Sequence, residues 1–241
     1  DRDENLGYYG ELLRRVSGKT DIAILPETFT TGFSMEVEKL ADTMDGPTIP
    51  TIKGWAKKYK LAVAGSFIAK EDGKYFNRAF FITPEGETYL YDKRHLFRMA
   101  DEDRHFTAGD TRTIVRYKDW NICLQVCYDL RFPQLFRRQT GVDCFLLPAA
   151  FTTNTGKAHW EVLLRARAIE NLSYVVAAAQ AGRSSCGRAF WGHSCAVDPW
   201  GTVVGSLNGH KTGVCFTDVD PAFLRQVRAL LPALNNRVKY E

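Results

Sequence analysis

The sequence has no apolar run approaching the roughly 18 residues that a membrane-spanning helix needs, so no membrane partner is expected. It also lacks any long block of like charge. The net charge of +4 is spread over 241 residues. The densest basic pairs, Arg14-Arg15, Lys57-Lys58 and Arg137-Arg138, fall in helix-like stretches, where charge serves a solvated face. Nucleic acid is therefore not an expected partner. No signal-peptide pattern opens the sequence. There is no CxxC pair. Cys123 and Cys127, like His193 and Cys195, lie in strand-like segments rather than knuckle turns, so neither a metal nor a cofactor is expected. No repeat, low-complexity stretch or Pro/Gly/Ser-rich linker divides the chain, which is read as one domain over 1–241.

What is present is the composition of an ordinary globular protein, 45% hydrophobic and 25% charged. Four of the six cysteines fall in strongly apolar strand-like segments, where a free thiol behaves as a small hydrophobe. A reduced, cytoplasmic protein is expected.

Helix-like and strand-like patterns alternate along the chain. Leu6, Tyr9, Leu12, Leu13 and Val16 recur at helical spacing before Gly18. Further helices are expected over Thr48–Lys60, Phe132–Gln139 and Lys157–Asn171, and from Pro221 onward. In the third of these, Trp160, Leu163, Leu164, Ala168 and Ile169 are the candidate inward residues. Strands are expected at Ile22–Leu25, Leu61–Ile68, Ala79–Ile82, Tyr89–Tyr91, Trp120–Val126, Cys144–Leu147, Tyr174–Gln180, Cys195–Val197, Val203–Val204 and Val214–Val219. Some strands are joined by helical crossovers and others by hairpins. That mixture predicts an α/β fold with two mixed sheets and helices outside, rather than one parallel doubly wound sheet.

Three reactive side chains sit where such strands end, the usual place for function in α/β proteins. Glu27 follows Ile22-Ala23-Ile24-Leu25-Pro26. Partial burial there would raise its pKa and suit it to general acid–base work; a surface or helix-capping carboxylate is the other reading. Lys93 follows the second strand of the expected hairpin, where an exposed turn lysine is the plainer assignment. Cys127 ends the strand Trp120–Val126 just before a helix. A nucleophile on such a bend is exposed, and a helix N-terminus with a nearby lysine would lower its pKa below about 8.5. A buried structural thiol competes with that reading, and is preferred for Cys123. A Cys-His pair drawing on His95, His105, His159, His193 or His210 remains open, because such partners meet only in the fold.

Taken together, LPETFTTGF, YDKRHLF and VCYDLRFP resemble the nitrilase, or carbon-nitrogen hydrolase, superfamily, whose triad is Glu, Lys, Cys in this order. GKAHWEVLLRARAIENLSYVVAAAQ and WGHSCAVDPWGTVVG also resemble its amidase branch. The resemblance implies a four-layer α-β-β-α sandwich and a homodimer. It implies Cys127 as nucleophile, Glu27 as proton shuttle, and Lys93 with the Tyr128 N–H as oxyanion donors. Glu102 best matches the family's second glutamate, with Asp101 and Asp103 close enough to compete. KRHLFRMADE is similar to bacterial ω-amidases, which act on α-ketoglutaramate or α-ketosuccinamate. The later half is similar to the branch that includes deaminated glutathione amidase. The partners implied are a small carboxylate-bearing amide and water. Alternatives are a nitrilase or carbamoylase with the same triad, or a non-catalytic binding module of the fold. Arg131, Thr152 and Arg188 are candidates for the substrate carboxylate, although a structural salt bridge is the favoured role for Arg131. Phe29, Phe33, Tyr128 and Phe151 are pocket walls or core. Arg165, Arg167, Glu170, Asn171, His159 and Trp160 read as structural. The family usually begins with a strand ahead of the first helix; without it, an exposed sheet edge and an apolar groove are expected.

Overall fold

The computed structural model describes residues 1–138, 141–184, 187–209, 212–236 and 238. Cys186, His210 and the end of the Phe132–Gln139 segment lie outside them. Two mixed sheets carry the fold. The first has four strands in the order β1 (Ile22–Ile24), β2 (Ala62–Glu71), β3 (Lys74–Ile82) and β4 (Thr88–Asp92). β1 runs parallel to β2, and the other pairings are antiparallel. The second sheet contains β5 (Ile114–Tyr117), β6 (Trp120–Leu124), β7 (Cys144–Ala149), β8 (Tyr174–Ala179), β11 (Cys195–Val197) and β12 (Val203–Ser206), in the order β12-β11-β8-β7-β6-β5. β9 (Ala181–Arg183) and β10 (Ala189–Trp191) form a separate antiparallel pair.

The period-two alternation of the first sheet divides its side chains between two layers. Val63, Phe67, Phe80 and Ile82 face outward and pack with Leu6, Leu13, Val16, Ile49, Ile52 and Ala56. Those partners come from α1 (Arg2–Val16) and α3 (Thr48–Tyr59). Ala62, Ala64, Ala79, Phe81 and Tyr91 face inward and join the core of the second sheet. There β7 meets β2 and β6 meets β3. On the far side α6 (Thr153–Asn171) covers β8 and β11. The result is the four-layer α-β-β-α sandwich. Shorter helices are α2 (Val37–Leu40), α4 (Glu102–His105) and α5 (Pro133–Arg137), and α7 (Pro221–Leu230) closes the series.

Several expectations need correction. Val214–Val219 forms no strand. It passes close to Gly205 of β12, with Val214 and Phe216 exposed, but makes no ladder with it. β-branched composition alone does not make a strand where no partner edge is paired. Cys215, in that segment, is exposed rather than buried. Ile169 is 45% exposed, because it lies over the turn at Gly201 rather than in the core. The sequence reading also missed β5 and the tight β2–β3 hairpin, whose turn puts Asp72 and Gly73 at positive φ. Among the described residues β1 pairs on one side only, and a cleft of about 810 Å³ runs beside it, lined by Tyr8, Ile22, Ile24, Val176, Val214 and Phe216 among others.

Candidate active site

The alternation that sorts the first sheet also aims the polar cluster. On β2 the inward positions Ala62 and Ala64 are followed by Ser66. On β3 Asn77 precedes Ala79, and beyond β4 Lys93 follows Tyr91. All three polar residues are buried. Glu27 arrives differently. The chain is tied to β2 by Leu25 N–H to the Ala64 carbonyl at 2.7 Å and again by Phe29 N–H to the Ser66 carbonyl at 3.0 Å. Pro26, Glu27 and Thr28 bulge out between these anchors, with Thr28 at φ +43°. Cys127 opens a 3₁₀ turn, Cys127–Arg131, and is itself at φ +43°, a conformation that costs a non-glycine residue on the order of 1–2 kcal/mol.

Nζ of Lys93 is 2.9 Å from Oε1 of Glu27, 2.9 Å from Oε1 of Glu102 and 2.8 Å from Oε2 of Glu102. None of the three side chains has exposed surface. Asn77 Nδ2 donates to Glu27 at 2.7 Å and to Glu102 at 3.1 Å. The Phe97 N–H, at 2.6 Å, holds the second oxygen of Glu102. Of the three neighbouring acids only Glu102 reaches Lys93, since Asp101 pairs with Arg104 and Asp103 with Arg98 at the surface. Lys93, Glu27, Cys127, Tyr128, Phe33, Phe97, Arg131, Ala150, Phe151, Thr152 and Thr155 line one small cavity of about 20 Å³, room for about one water.

The electrostatics follow from burial. Glu27 is raised above the usual carboxylate range, first by desolvation and then by Glu102, with Lys93 and Cys127 opposing. Burial works against the charge on Lys93, but the two carboxylates outweigh it, and the ammonium is held more firmly than in water. Cys127 departs from expectation. Its thiol is pushed well above its ordinary value, mainly by desolvation and then by Glu27, while Lys93 and the Ala150 N–H (3.5 Å from Sγ) pull the other way. A single lysine already engaged by two carboxylates cannot offset the loss of water around a thiolate. The group is therefore held as a thiol, and among the described residues Oε2 of Glu27 has no other hydrogen-bond partner.

A third buried carboxylate ties the two loops of the site together. Asp129 accepts from the Tyr91 hydroxyl at 2.9 Å and the Val126 N–H at 3.1 Å. It also accepts from the His95 N–H at 3.0 Å and lies 2.9 Å from His95 Nδ1. The strand end bearing Lys93 and the turn bearing Cys127 are thereby fixed to each other. The Tyr128 N–H lies ahead of the first bond of that turn, Asp129 N–H to the Val126 carbonyl.

The substrate-wall candidates divide. Phe33, Phe151 and Thr152 line the cavity. Phe29 does not; it packs edge-on between Tyr9 and Phe80 in the outer core. Arg188 lies over the Phe33 ring and lines the large cleft instead. Among the described residues Arg131 has no carboxylate partner, contrary to the structural salt bridge expected of it. Its guanidinium lies over Phe151 and Tyr128 and 3.1 Å from His159 Nδ1. Phe97, Ala150, Thr155, Asn77 and Ser66 were missed. Only the inward register of Ser66 and Asn77 could have flagged them. His95, His159 and His193 find their partners in Asp129, Arg131 and the Trp191 carbonyl, not in Cys127. Among the described residues no three His, Cys, Asp or Glu side chains are grouped to hold a metal ion.

A buried thiol, a carboxylate with one free oxygen and a locked ammonium around a single cavity can together perform acyl transfer. The chain is similar to the omega-amidase YafV of Escherichia coli, 35% identical over 233 residues, covering 97% of this chain and 90% of that protein. It is similar to the deaminated glutathione amidase of Synechocystis, 38% identical over 254 residues, covering 98% of this chain and 93% of that protein. XC1258 from Xanthomonas campestris, a CN-hydrolase superfamily protein with an arsenic adduct in its active site, superposes with a TM-score of 0.94. It is 38% identical and covers 100% of this chain and 93% of that one. The carbon-nitrogen hydrolase model matches residues 1–229, and with this sandwich and these relatives the chain belongs to the carbon-nitrogen hydrolase family, as an amidohydrolase acting on carbon–nitrogen bonds other than peptide bonds.

Proposed function

We propose that this protein hydrolyses the terminal amide of a small carboxylate-bearing substrate, of the α-ketoglutaramate or α-ketosuccinamate type, through a thioester on Cys127. The observation that carries the proposal is the convergence of Glu27, Lys93 and Cys127 on one cavity whose wall also holds Arg131, which has no acidic partner among the described residues. Oε2 of Glu27 takes the thiol proton as Sγ attacks the amide carbon. Lys93 Nζ and the Tyr128 N–H receive the developing oxyanion, where a donor of this kind is worth roughly 3–4 kcal/mol. Collapse breaks the C–N bond, and Glu27 passes the proton to the departing nitrogen, which leaves as ammonia. A water then enters, gives a proton to Glu27 and attacks the thioester. Glu27 returns that proton to sulfur as the acid departs. Glu102 holds Lys93 throughout. Arg131, with Thr152 beside it, takes the far carboxylate by charge-assisted hydrogen bonds.

Hydrolysis of deaminated glutathione is the second reading, favoured by the Synechocystis relative. A panel of α-keto acid ω-amides, deaminated glutathione, nitriles and ureido acids, assayed for ammonia, separates the two. Preferred turnover of the short keto amides supports the proposal. Preferred turnover of the peptide-like amide replaces it with the second reading. Full activity in Cys127→Ala overturns both.

A further inference from the structure

Lys93 has three N–H bonds to give, and in the resting site three carboxylate contacts between 2.8 and 2.9 Å take them. An oxyanion can be received only if one of these is released. Glu102 Oε2 is also held by Phe97, and the contact to Glu27 is the single one on that side. If Lys93 turns away from Glu27, something else must keep that carboxylate oriented with Oε2 toward the reacting groups. A free carboxylate swings easily about its terminal bond, where the torsion is broad.

Asn77 spans the same two carboxylates as Lys93. One amide hydrogen goes to Glu27 Oε1 and the other to Glu102 Oε1. Its own orientation is set from behind. Ser66 Oγ donates to Asn77 Oδ1 at 3.1 Å and accepts from the Thr28 N–H at 2.9 Å. Both residues are fully buried. The bridge is neutral, so it adds no charge to a site that already holds two acids.

We propose that Asn77, braced by Ser66, is a positioning residue that keeps Glu27 Oε1 occupied, so that protons pass through Oε2 while Lys93 is released to the oxyanion. This rests on the reaction proposed above. The groups facing Glu27 are Lys93 after β4, Glu102 on α4, Cys127 on the 3₁₀ turn, and the neutral Asn77 and Ser66 on β3 and β2. From just past the end of β8 the Gln180 amide reaches the Glu27 backbone carbonyl.

The test measures pH profiles of kcat and kcat/KM for wild type, Asn77→Leu, Ser66→Ala and the double variant. Alongside them, the pH dependence of Cys127 alkylation by iodoacetamide is followed by mass spectrometry of the Cys127 peptide. Loss of a donor from a carboxylate favours its protonated form. In Asn77→Leu the acid limb of both profiles should therefore move to higher pH. The same variant should lose about tenfold or more in kcat with KM changed less than threefold, since the donor acts on the reacting carboxylate rather than on bound substrate. Ser66→Ala should move the limb the same way by less, and the double variant should match Asn77→Leu alone. Profiles of folded Asn77→Leu superposing on wild type would overturn the proposal. If Asn77→Leu does not fold, an unmoved acid limb in Ser66→Ala overturns it. The alkylation profile needs no turnover, so it still reports on Asn77 if no amide in the panel proves to be a substrate.

Discussion

Nζ of Lys93 lies 2.9 Å from Oε1 of Glu27, with both side chains wholly withdrawn from solvent. Glu102 completes the cluster, so one buried cation serves two buried anions. Removing one partner of such a set leaves uncompensated charge, which costs about 3–5 kcal/mol. Lys93→Met should lower the urea midpoint accordingly. It should also reduce kcat by about a hundredfold or more at a pH and temperature where the variant is still folded, because in the proposed mechanism the oxyanion loses its charged donor.

The left-handed backbone at Cys127 separates stability from chemistry. Alanine keeps the strain of φ +43°, whereas glycine does not. Cys127→Ala and Cys127→Gly should both abolish ammonia release. Cys127→Gly should nevertheless unfold at the higher temperature, with a difference on the order of 1 kcal/mol. Calorimetry of the two variants checks this.

Arg131 should contribute to the affinity for charged substrates alone. A charge-assisted hydrogen bond is worth about 1.5–3 kcal/mol. On that scale Arg131→Gln should raise KM for a carboxylate-bearing amide roughly 10- to 100-fold. KM for a neutral amide of the same length should hardly change. Equal losses on both substrates would assign the arginine to packing over Phe151 instead.

Alkali should weaken the fold before it reaches the lysines. Burial pushes Cys123 and Cys195 up to about 12, and holds Cys127 and Cys144 raised as well. A folded-state pKa above the unfolded value means that the folded state keeps its proton longer. The stability this provides is complete below the unfolded thiol pKa near 9 and is lost as pH rises toward 12. Urea midpoints should therefore fall from about pH 9 upward. Replacing Cys195 with Ala should flatten that fall, at the cost of the methylene-sized packing loss seen at every pH.

Much of this architecture was legible in the order of the residues. The helical spacing of Leu6, Leu13 and Val16, the apolar ends of β1 and β6, and the three motif stretches located the elements and the reactive side chains. Less legible was the segment at Val214, where strand-like composition met no paired edge, and Ile169, whose helical face turned outward over Gly201. Phe29 read equally well as a pocket wall or as core, and it proves to be core. The bulge at Pro26–Thr28 sends the two side chains into different layers. The selection of Glu102 over Asp101 and Asp103 likewise depended on the left-handed residue at Asp101, which turns only the middle carboxylate inward.

The sequence by itself determined which groups are available: a carboxylate, an ammonium and a thiol, each placed at the end of an apolar strand by local periodicity. The tertiary structure decided their chemical state. Proton affinity depends on the water lost and the charges gained when distant segments meet, and neither quantity exists until two sheets close over Cys127. That is why a thiol expected to ionise easily is instead held protonated, and why Asn77, unremarkable in the sequence, stands between two buried carboxylates of the candidate site.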